Sequence, residues 1–234
     1  MGYKYLFFDL DNTLWDFDAN AQLTLRVLFE KYQLGAYFAT FDAYYRLYKA
    51  NNDRLWQLYG AGKITKEALN TERFQYPLRS FNASLLSVAA QMEAEYLPLL
   101  ATQTRLMPGC LQVLDTLKSK RYRLFLISNG FVEIQQLKLK NSHLDVYFER
   151  CYFSEQVGAH KPAKLFFDYA IQSSNAVKKQ SLVIGDNFEA DIVGAKNAGI
   201  DQVYFNPNPS GQPLPFQPNF QITNLMQICN IVES

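Results

Sequence analysis

The sequence predicts an α/β protein with a doubly wound, mainly parallel, Rossmann-like sheet and an inserted all-helical domain. Two observations predict the sheet: short, nearly continuous apolar runs recur along the chain, and helical patterns separate them. A third observation predicts the insertion, because a long stretch after the first run contains only amphipathic helical patterns.

Four apolar runs are predicted strands because they combine aromatic and β-branched residues without the alternation typical of a half-exposed strand. In chain order they are Tyr5–Phe8, Arg123–Ile127, Ser181–Ile184 and Gln202–Phe205. A weaker fifth candidate, Arg150–Phe153, lies between the second run and the third. Runs of this kind are expected when both faces of a parallel sheet are covered.

Helical patterns follow the strands, and Gly199 closes the last of them as a C-terminal stop. The third is expected to begin at Pro162, because proline is favoured at the first helical position. The Pro-rich segment 206–218 is predicted to be a connector, and the tail from Phe220 to add a short strand and a final helix, Leu225–Val232. In chain order, the predicted core helices before the tail are Leu111–Leu117, Phe131–Leu139, Pro162–Gln172 and Glu189–Ala198.

The insertion occupies residues 17–103 and is predicted to be a helical cap domain. The catalytic core is then built from residues 1–16 and 104–234. The helical stretches of the insertion are Asn20–Tyr32, Phe41–Leu58, Lys66–Arg79 and Leu85–Tyr96.

Composition narrows the class of protein. The 234 residues are 48% hydrophobic and carry a formal net charge of +1, without a dense Lys/Arg stripe, so neither a nucleic acid polymer nor a membrane is an expected partner. No signal peptide or membrane-length apolar stretch is apparent, and three widely spaced cysteines favour reduced thiols over disulfides. We therefore predict a cytoplasmic protein with no obligatory protein partner. With only two histidines, any metal should be held by oxygen.

Polar residues follow the predicted strands where ligands of open α/β sheets bind, beyond the carboxyl ends. Carboxylates, a hydroxyl and an ammonium are therefore expected to converge on one edge. The segments are Asp9-Leu10-Asp11-Asn12-Thr13, Ser128-Asn129-Gly130, His160-Lys161-Pro162 and Gly185-Asp186-Asn187, with Asp191 in the next helical turn.

This set of side chains suits phosphoryl transfer, which needs an in-line nucleophile, neutralisation of phosphate charge and a proton for the leaving group. Asp9 is the predicted nucleophile and Asp11 the predicted acid and base. Ser128 and Lys161, with backbone amides around Asn129 and in the loop from Asp11, are predicted to hold the phosphate.

The same aspartates predict a magnesium site, because Mg²⁺ prefers hard oxygen ligands. The expected ligands are Asp9, the backbone carbonyl of Asp11, and Asp186, with Asp191 supporting the metal site. Structural interpretations stay open beside these: Asp9 and Asp11 as turn residues, Ser128 as a helix cap, Lys161 as a solvated lysine, and Asp191 as a helix-dipole partner.

In order and context, the four segments resemble the signature motifs of the haloacid dehalogenase superfamily, and the helical insertion is similar to that family's first type of cap. The resemblance implies the roles given above and makes Asp191 a metal-site or lysine-orienting residue. Dehalogenases of the family lack a second aspartate, so Asp11 implies a phosphate ester as the small-molecule partner.

A narrower resemblance concerns the segment Ile127–Gln135, the residues Phe153-Ser154-Glu155 and Val157-Gly158, and Ala190-Asp191-Ile192. These look like the bacterial non-canonical pyrimidine nucleotidases, which implies hydrolysis of nucleoside 5′-monophosphates. A sugar-phosphate phosphatase or phosphomutase with the same core is the alternative, and a non-enzymatic binding protein is a third. The candidate contacts to the base lie in the insertion and are Tyr45, Arg46, Lys49, Asn52, Arg54, Trp56 and Tyr59. The alternative is structural, because an aromatic stripe at helical spacing more often packs in a hydrophobic core.

Overall fold

The structure is a computed structural model that describes residues 2–79, 81, 85–209 and 211–233. Its contacts divide the chain into two compact units. Residues 1–17 and 104–234 form the first, here called the core unit, and residues 18–103 form the second, the helical unit. No helix within the described ranges combines the length and the apolar character needed to cross a membrane.

The core unit contains a parallel sheet in which the described residues supply six strands in the order β3-β2-β1-β4-β5-β6. The strands are β1 Tyr5–Phe8, β2 Arg123–Ser128, β3 Arg150–Phe153, β4 Ser181–Gly185, β5 Asp201–Phe205 and β6 Phe220–Ile222. This order reverses direction at β1, so the sheet is doubly wound and the predicted fold class is confirmed. Phe8 pairs with Leu126 of β2 on one side and Ile184 of β4 on the other, which places the ends of these strands at one edge.

The central strands are apolar because both of their faces are covered. All four residues of β1 are buried, and so are all five of β4. On one face, Phe7 stacks on Phe125 with ring centroids 4.9 Å apart, and Phe166 and Phe167 pack into the same cluster. At roughly 25 cal/mol per Å² of apolar surface, such rings supply much of the free energy that holds the sheet.

Ten α-helices are found among the described residues. Four of them, α1 to α4, belong to the helical unit, except for Phe17, the first residue of α1, which is assigned to the core unit. They are α1 Phe17–Lys31, α2 Phe41–Gly60, α3 Lys66–Leu78, α4 Leu85–Ala101, α5 Cys110–Ser119, α6 Val132–Asn141, α7 Ser154–Val157, α8 Lys164–Ser173, α9 Gly194–Asn197 and α10 Gln227–Glu233. Short 3-10 turns lie at Leu34–Ala36 and Lys178–Gln180, and a π-helical turn, Phe188–Val193, leads into α9.

The helical unit forms where threonine caps and buried aromatic rings coincide. Thr40 and Thr65 each accept a hydrogen bond from a backbone N–H three residues on, which begins α2 and α3. Tyr48, Phe74 and Tyr96 then bring α2, α3 and α4 together, with ring centroids 5.3–6.0 Å apart. The predicted stretches thus form helices.

Two local expectations are wrong. The helix predicted from Pro162 begins at Lys164, because residues 160–163 form a turn in which the Ala163 N–H donates to the His160 carbonyl. Ser128 does not cap the helix that follows β2. The first N–H of α6, at Val132, donates instead to Glu155 Oε2 at 2.8 Å.

Candidate active site

The loop after β1 presents two carboxylates around a buried leucine. The Asp9 N–H donates to the Ile184 carbonyl, and the Leu14 and Trp15 N–H groups both donate to the Leu10 carbonyl, which closes a compact turn. Asn12 has a φ of 63°, in the left-handed region that asparagine tolerates better than most residues. Asp9 and Asp11 are thereby fixed on either side of Leu10, which is completely buried.

Lys161 is a buried ammonium between two aspartates. Its Nζ lies 2.6 Å from Asp9 Oδ1 and 2.6 Å from Asp191 Oδ1, and it also donates to the Ile127 carbonyl at 3.3 Å. Only 4% of the residue is exposed, so the solvated interpretation does not apply. A charge this far from water requires such partners.

Asn129 fixes the backbone on which Lys161 stands. Its Nδ2 donates to the Lys161 carbonyl at 2.9 Å, and its Oδ1 accepts the Lys161 N–H at 2.8 Å. Both ends of the amide side chain are therefore used on the lysine segment. A contribution of Asn129 to phosphate binding falls to its backbone N–H.

Asp186 and Asp191 follow β4. Thr13 Oγ1 donates to Asp186 Oδ1 at 2.9 Å and accepts the Asp186 N–H at 3.0 Å. Asp191 Oδ2 accepts the Asn187 N–H at 3.1 Å, while its other oxygen accepts from Lys161. We call Asp9, Lys161, Asp186 and Asp191 the Asp9 cluster.

Burial and mutual repulsion shape the acidity of this cluster. Burial raises the pKa of Asp9 to about 7. The nearby Lys161 ammonium lowers this pKa, but only enough to offset part of the effect of burial, and the negative charge of Asp191 raises it further. Burial, reinforced by Asp9 and Asp191, raises the pKa of Asp186 well above its ordinary range. Burial would lower the pKa of Lys161, but Asp191 and Asp9 raise it instead. If all three carboxylates were ionised beside one ammonium, the cluster would carry an excess of negative charge, which is why these pKa values rise.

The donor set of this cluster fits a divalent cation. Oxygen atoms of Asp9, Asp186 and Asp191 all lie within 4.8 Å of one another, and hard oxygen donors are those that Mg²⁺ prefers. Asp191 orients Lys161 through Oδ1, and it is also one of the three carboxylates that lie close enough to share a cation.

A second group of polar side chains surrounds Asp11. Lys138 Nζ donates to Asp11 Oδ1 at 2.7 Å, and Gln135 Nε2 donates to Asp11 Oδ2 at 2.7 Å. Gln135 Nε2 also donates to Ser128 Oγ at 2.7 Å, and that hydroxyl accepts the Gly130 N–H. We call Asp11, Ser128, Gln135 and Lys138 the Asp11 cluster.

Sequence reasoning missed Gln135 and Lys138 as site residues. Both are buried in α6 and lie one turn apart, beside the apolar Ile134 and Leu139. The available signal was their position: polar side chains on the buried face of an amphipathic helix need partners within the fold.

The structure therefore brings together Asp9, Asp186, Asp191 and Lys161 in one cluster, and Asp11 with Ser128 in the other. The candidate base contacts in the insertion all lie on α2 in the helical unit. Among them, Lys49 pairs with Asp18 and Asp53, Arg54 donates to Asn51, and Asn52 is buried.

The sequence matches the haloacid dehalogenase-like hydrolases over residues 3–199. Among curated proteins, it is 32% identical to pyrimidine 5′-nucleotidase PynA of Streptococcus pneumoniae, over 100% of this chain and 96% of that protein. It is also 30% identical to pyrimidine 5′-nucleotidase YjjG of Escherichia coli, over 97% of each chain.

A solved structure resembles the whole chain. The putative HAD-hydrolase YfnB of Bacillus subtilis, determined with magnesium bound, superposes with a TM-score of 0.88 at 29% identity. The alignment covers 100% of both chains.

Proposed function

Because the chain belongs to the haloacid dehalogenase-like hydrolases, we propose that it is a magnesium-dependent phosphatase that acts on nucleoside 5′-monophosphates. The observation that carries the chemistry is the pair of carboxylates at the end of β1, one beside a buried lysine and the other in a hydrogen-bonded cluster. Similarity to two pyrimidine 5′-nucleotidases over nearly the whole chain supports the substrate class.

In the first step, a carboxylate oxygen of Asp9 attacks phosphorus in line with the ester bond. A phosphorus–oxygen bond to Asp9 forms while the bond to the nucleoside oxygen breaks. Asp11 donates its proton to the leaving oxygen, so the nucleoside departs as a neutral alcohol.

The second step releases phosphate and restores the enzyme. Water attacks the phosphorus of the aspartyl phosphate and gives a proton to Asp11, while the bond between phosphorus and Asp9 breaks. Lys161 and the Ser128 hydroxyl, with backbone amides near Asn129, neutralise and orient the phosphate oxygens in both steps.

A divalent cation, when bound, neutralises charge on the phosphate and offsets the repulsion among the acidic side chains. Asp9 and Asp186 would hold it through their carboxylates, and Asp11 through its backbone carbonyl. Asp191 supports this site by orienting Lys161. The helical unit, as the proposed cap domain, would contribute to the selection of the nucleoside.

The test is phosphate release from a panel of pyrimidine and purine nucleoside monophosphates and sugar phosphates. Each substrate is assayed with magnesium and with chelator, and Asp9→Asn serves as the inactive control. We expect pyrimidine monophosphates to be hydrolysed fastest and both controls to be inactive. Preference for a sugar phosphate would reject the nucleotide assignment, isomerisation without release would indicate a mutase, and no reaction with any ester would reject the enzyme.

A further inference from the structure

We propose that Lys138 and Gln135 are positioning residues that hold the Asp11 carboxyl for proton transfer to the leaving oxygen and from the attacking water. This inference rests on the proposed phosphatase function and assigns two residues of α6 to the same reaction. It follows from the contacts of the Asp11 cluster, from the burial of its members and from the packing of Gly130.

The two donors reach different oxygens of one carboxylate. Lys138 binds Oδ1 and Gln135 binds Oδ2, each at 2.7 Å, so the plane and direction of the carboxyl group are both fixed. A carboxylate offers about four lone-pair directions, which leaves each oxygen able to accept or carry a proton. The carboxyl of Asp11 is thus held without losing its capacity as an acid and a base.

The exposed fractions of the side chains distinguish Asp11, which acts on the substrate, from Lys138, which positions Asp11. The Lys138 side chain is 3% exposed, whereas the Asp11 side chain that it contacts is 28% exposed. Lys138 therefore lies behind Asp11 and cannot reach a substrate itself. Its effect on the reaction must pass through the carboxyl group, which defines a positioning residue.

Aromatic rings fix the ammonium in turn. Lys138 Nζ lies 4.4 Å from the centroid of the Trp15 ring and 5.1 Å from that of Phe17. Cation–π contacts of this kind stabilise an ammonium that has lost its water. Trp15 is fully buried in the loop that also carries Asp11. The same loop therefore supplies both the carboxylate and one of the aromatic rings that contact Lys138.

Gln135 links the acid to the predicted phosphate-binding hydroxyl. Its Nε2 donates to both Asp11 Oδ2 and Ser128 Oγ, which uses both protons of the amide. Its place requires glycine at position 130, since a Cβ there would come within 2.4 Å of Gln135 Nε2. Asp11 and Ser128 are therefore held in a fixed relation by one side chain.

The experiment compares two leaving groups. An alkoxide must be protonated as it departs, whereas p-nitrophenolate leaves without an acid, so only alkyl esters depend on Asp11 in the first step. We compare Lys138→Met, Lys138→Arg and the parent on thymidine 5′-monophosphate and on p-nitrophenyl phosphate, both with magnesium. Lys140→Met, at an exposed position on the same helix, is the matched control.

We expect Lys138→Met to lower kcat/KM, which reports the steps up to departure of the leaving group, about 10- to 100-fold for the nucleotide. The loss of kcat/KM with p-nitrophenyl phosphate should stay below about threefold. Lys138→Arg should recover much of the activity, and Lys140→Met should match the parent. In an Asp11→Asn background, Lys138→Met should cause little further loss, because the group it positions has been removed.

Equal losses on both esters, or no loss on either, would overturn the proposal, as would a full further loss in the Asp11→Asn background. If circular dichroism shows that Lys138→Met does not fold, Gln135→Leu against the exposed control Gln136→Leu replaces it. Because Gln135 also holds Ser128, both esters should then lose kcat/KM, and the nucleotide should lose at least about tenfold more. If the parent enzyme does not hydrolyse nucleotides but does hydrolyse glycerol phosphate, only the nucleotide assignment is rejected. Glycerol phosphate then replaces thymidine 5′-monophosphate as the alkyl ester in the comparison of leaving groups. A parent inactive on all these esters would overturn both proposals.

Discussion

Asp9 and Asp11 stand two residues apart on one loop, yet they are held in different ways. In the Asp9 cluster, a single ammonium joins two buried carboxylates, and a third lies nearby. In the Asp11 cluster, one partly exposed carboxylate receives two donors, and the ammonium rests against aromatic rings. The first arrangement concentrates negative charge, while the second fixes the direction of one group. This difference matches the proposed roles of Asp9 as a nucleophile at a cation site and of Asp11 as the acid that protonates the leaving oxygen.

The largest expected effect comes from removing the shared ammonium. Lys161→Met leaves Asp9 and Asp191 buried without their cation, so the free energy of unfolding should fall by about 3–5 kcal/mol. Phosphate release should fall about 10²- to 10³-fold, because the variant removes the positive charge that neutralises the transferring phosphoryl group. Urea unfolding and steady-state kinetics measure the two effects.

Lys138→Met should destabilise the protein less than Lys161→Met, because it frees a carboxylate that retains access to water. Equal losses of stability in the two variants would remove the distinction between the clusters.

The acidity of Asp9 predicts a pH dependence that is confined to its cluster. Its pKa rises from 3.8 to about 7 on folding, so the folded protein binds a proton more tightly than the unfolded chain. In chelator, this contribution to stability should be complete below about pH 4 and lost as the pH rises through about 7. Asp9→Asn should reduce the slope of that part of the profile, as followed by urea unfolding at each pH, and the raised pKa of Asp186 accounts for the slope that remains.

Saturating magnesium should reduce the loss of stability at neutral pH, since a cation favours the ionised cluster. A metal-free protein whose stability rises between pH 4 and 7 in step with ionisation of Asp9 would contradict this interpretation.

Two glycines allow each cluster to be disturbed without changing a polar group. A Cβ at Gly185 would come within 2.2–2.6 Å of the Asp191 side chain, including its Cβ, which cannot move away independently of the backbone. Gly185→Ala should therefore cost about 1–3 kcal/mol. Gly130→Ala meets the end of the longer Gln135 side chain and should cost less stability, while lowering kcat for alkyl esters. Thermal unfolding and kinetics of both variants provide the comparison.

The smallest effect is expected at an exposed lysine near the same cluster in sequence. Lys164 pairs with Asp168 one helical turn away, with 57% of its side chain exposed. Lys164→Met should change the free energy of unfolding by no more than about 0.5 kcal/mol. A change as large as that of Lys161→Met would show that burial does not set the strength of these pairs.

The strands were predictable because burial on both faces leaves a strong pattern of continuous apolar residues. The predicted bounds of β1 and β3 match the structure, and β2, β4 and β5 differ by one residue at one end. The polar residues after β1, β2 and β4 then follow from topology, because parallel strands bring their carboxyl ends to one edge. Local sequence and one topological rule therefore predicted most of the candidate site.

What sequence reasoning missed depends on contacts between distant residues. Lys138 meets Asp11 across 127 positions in the chain, and no local pattern specifies that pairing. The start of α8 was wrong for a related reason: Pro162 stands in a turn whose geometry is set by Asn129, a residue on another loop. In both cases, the contact that matters joins residues that are far apart in the chain.

The most direct test of the central claim is to trap the covalent intermediate. The enzyme is mixed with a nucleoside monophosphate and magnesium, quenched within one turnover and treated with borohydride, which reduces an aspartyl phosphate to homoserine. We predict homoserine at position 9 by peptide mass spectrometry, and none in Asp9→Asn or without substrate. Phosphate release at the parent rate with Asp9 never modified, or homoserine found at position 11 instead, would contradict the assignment of Asp9 as the nucleophile.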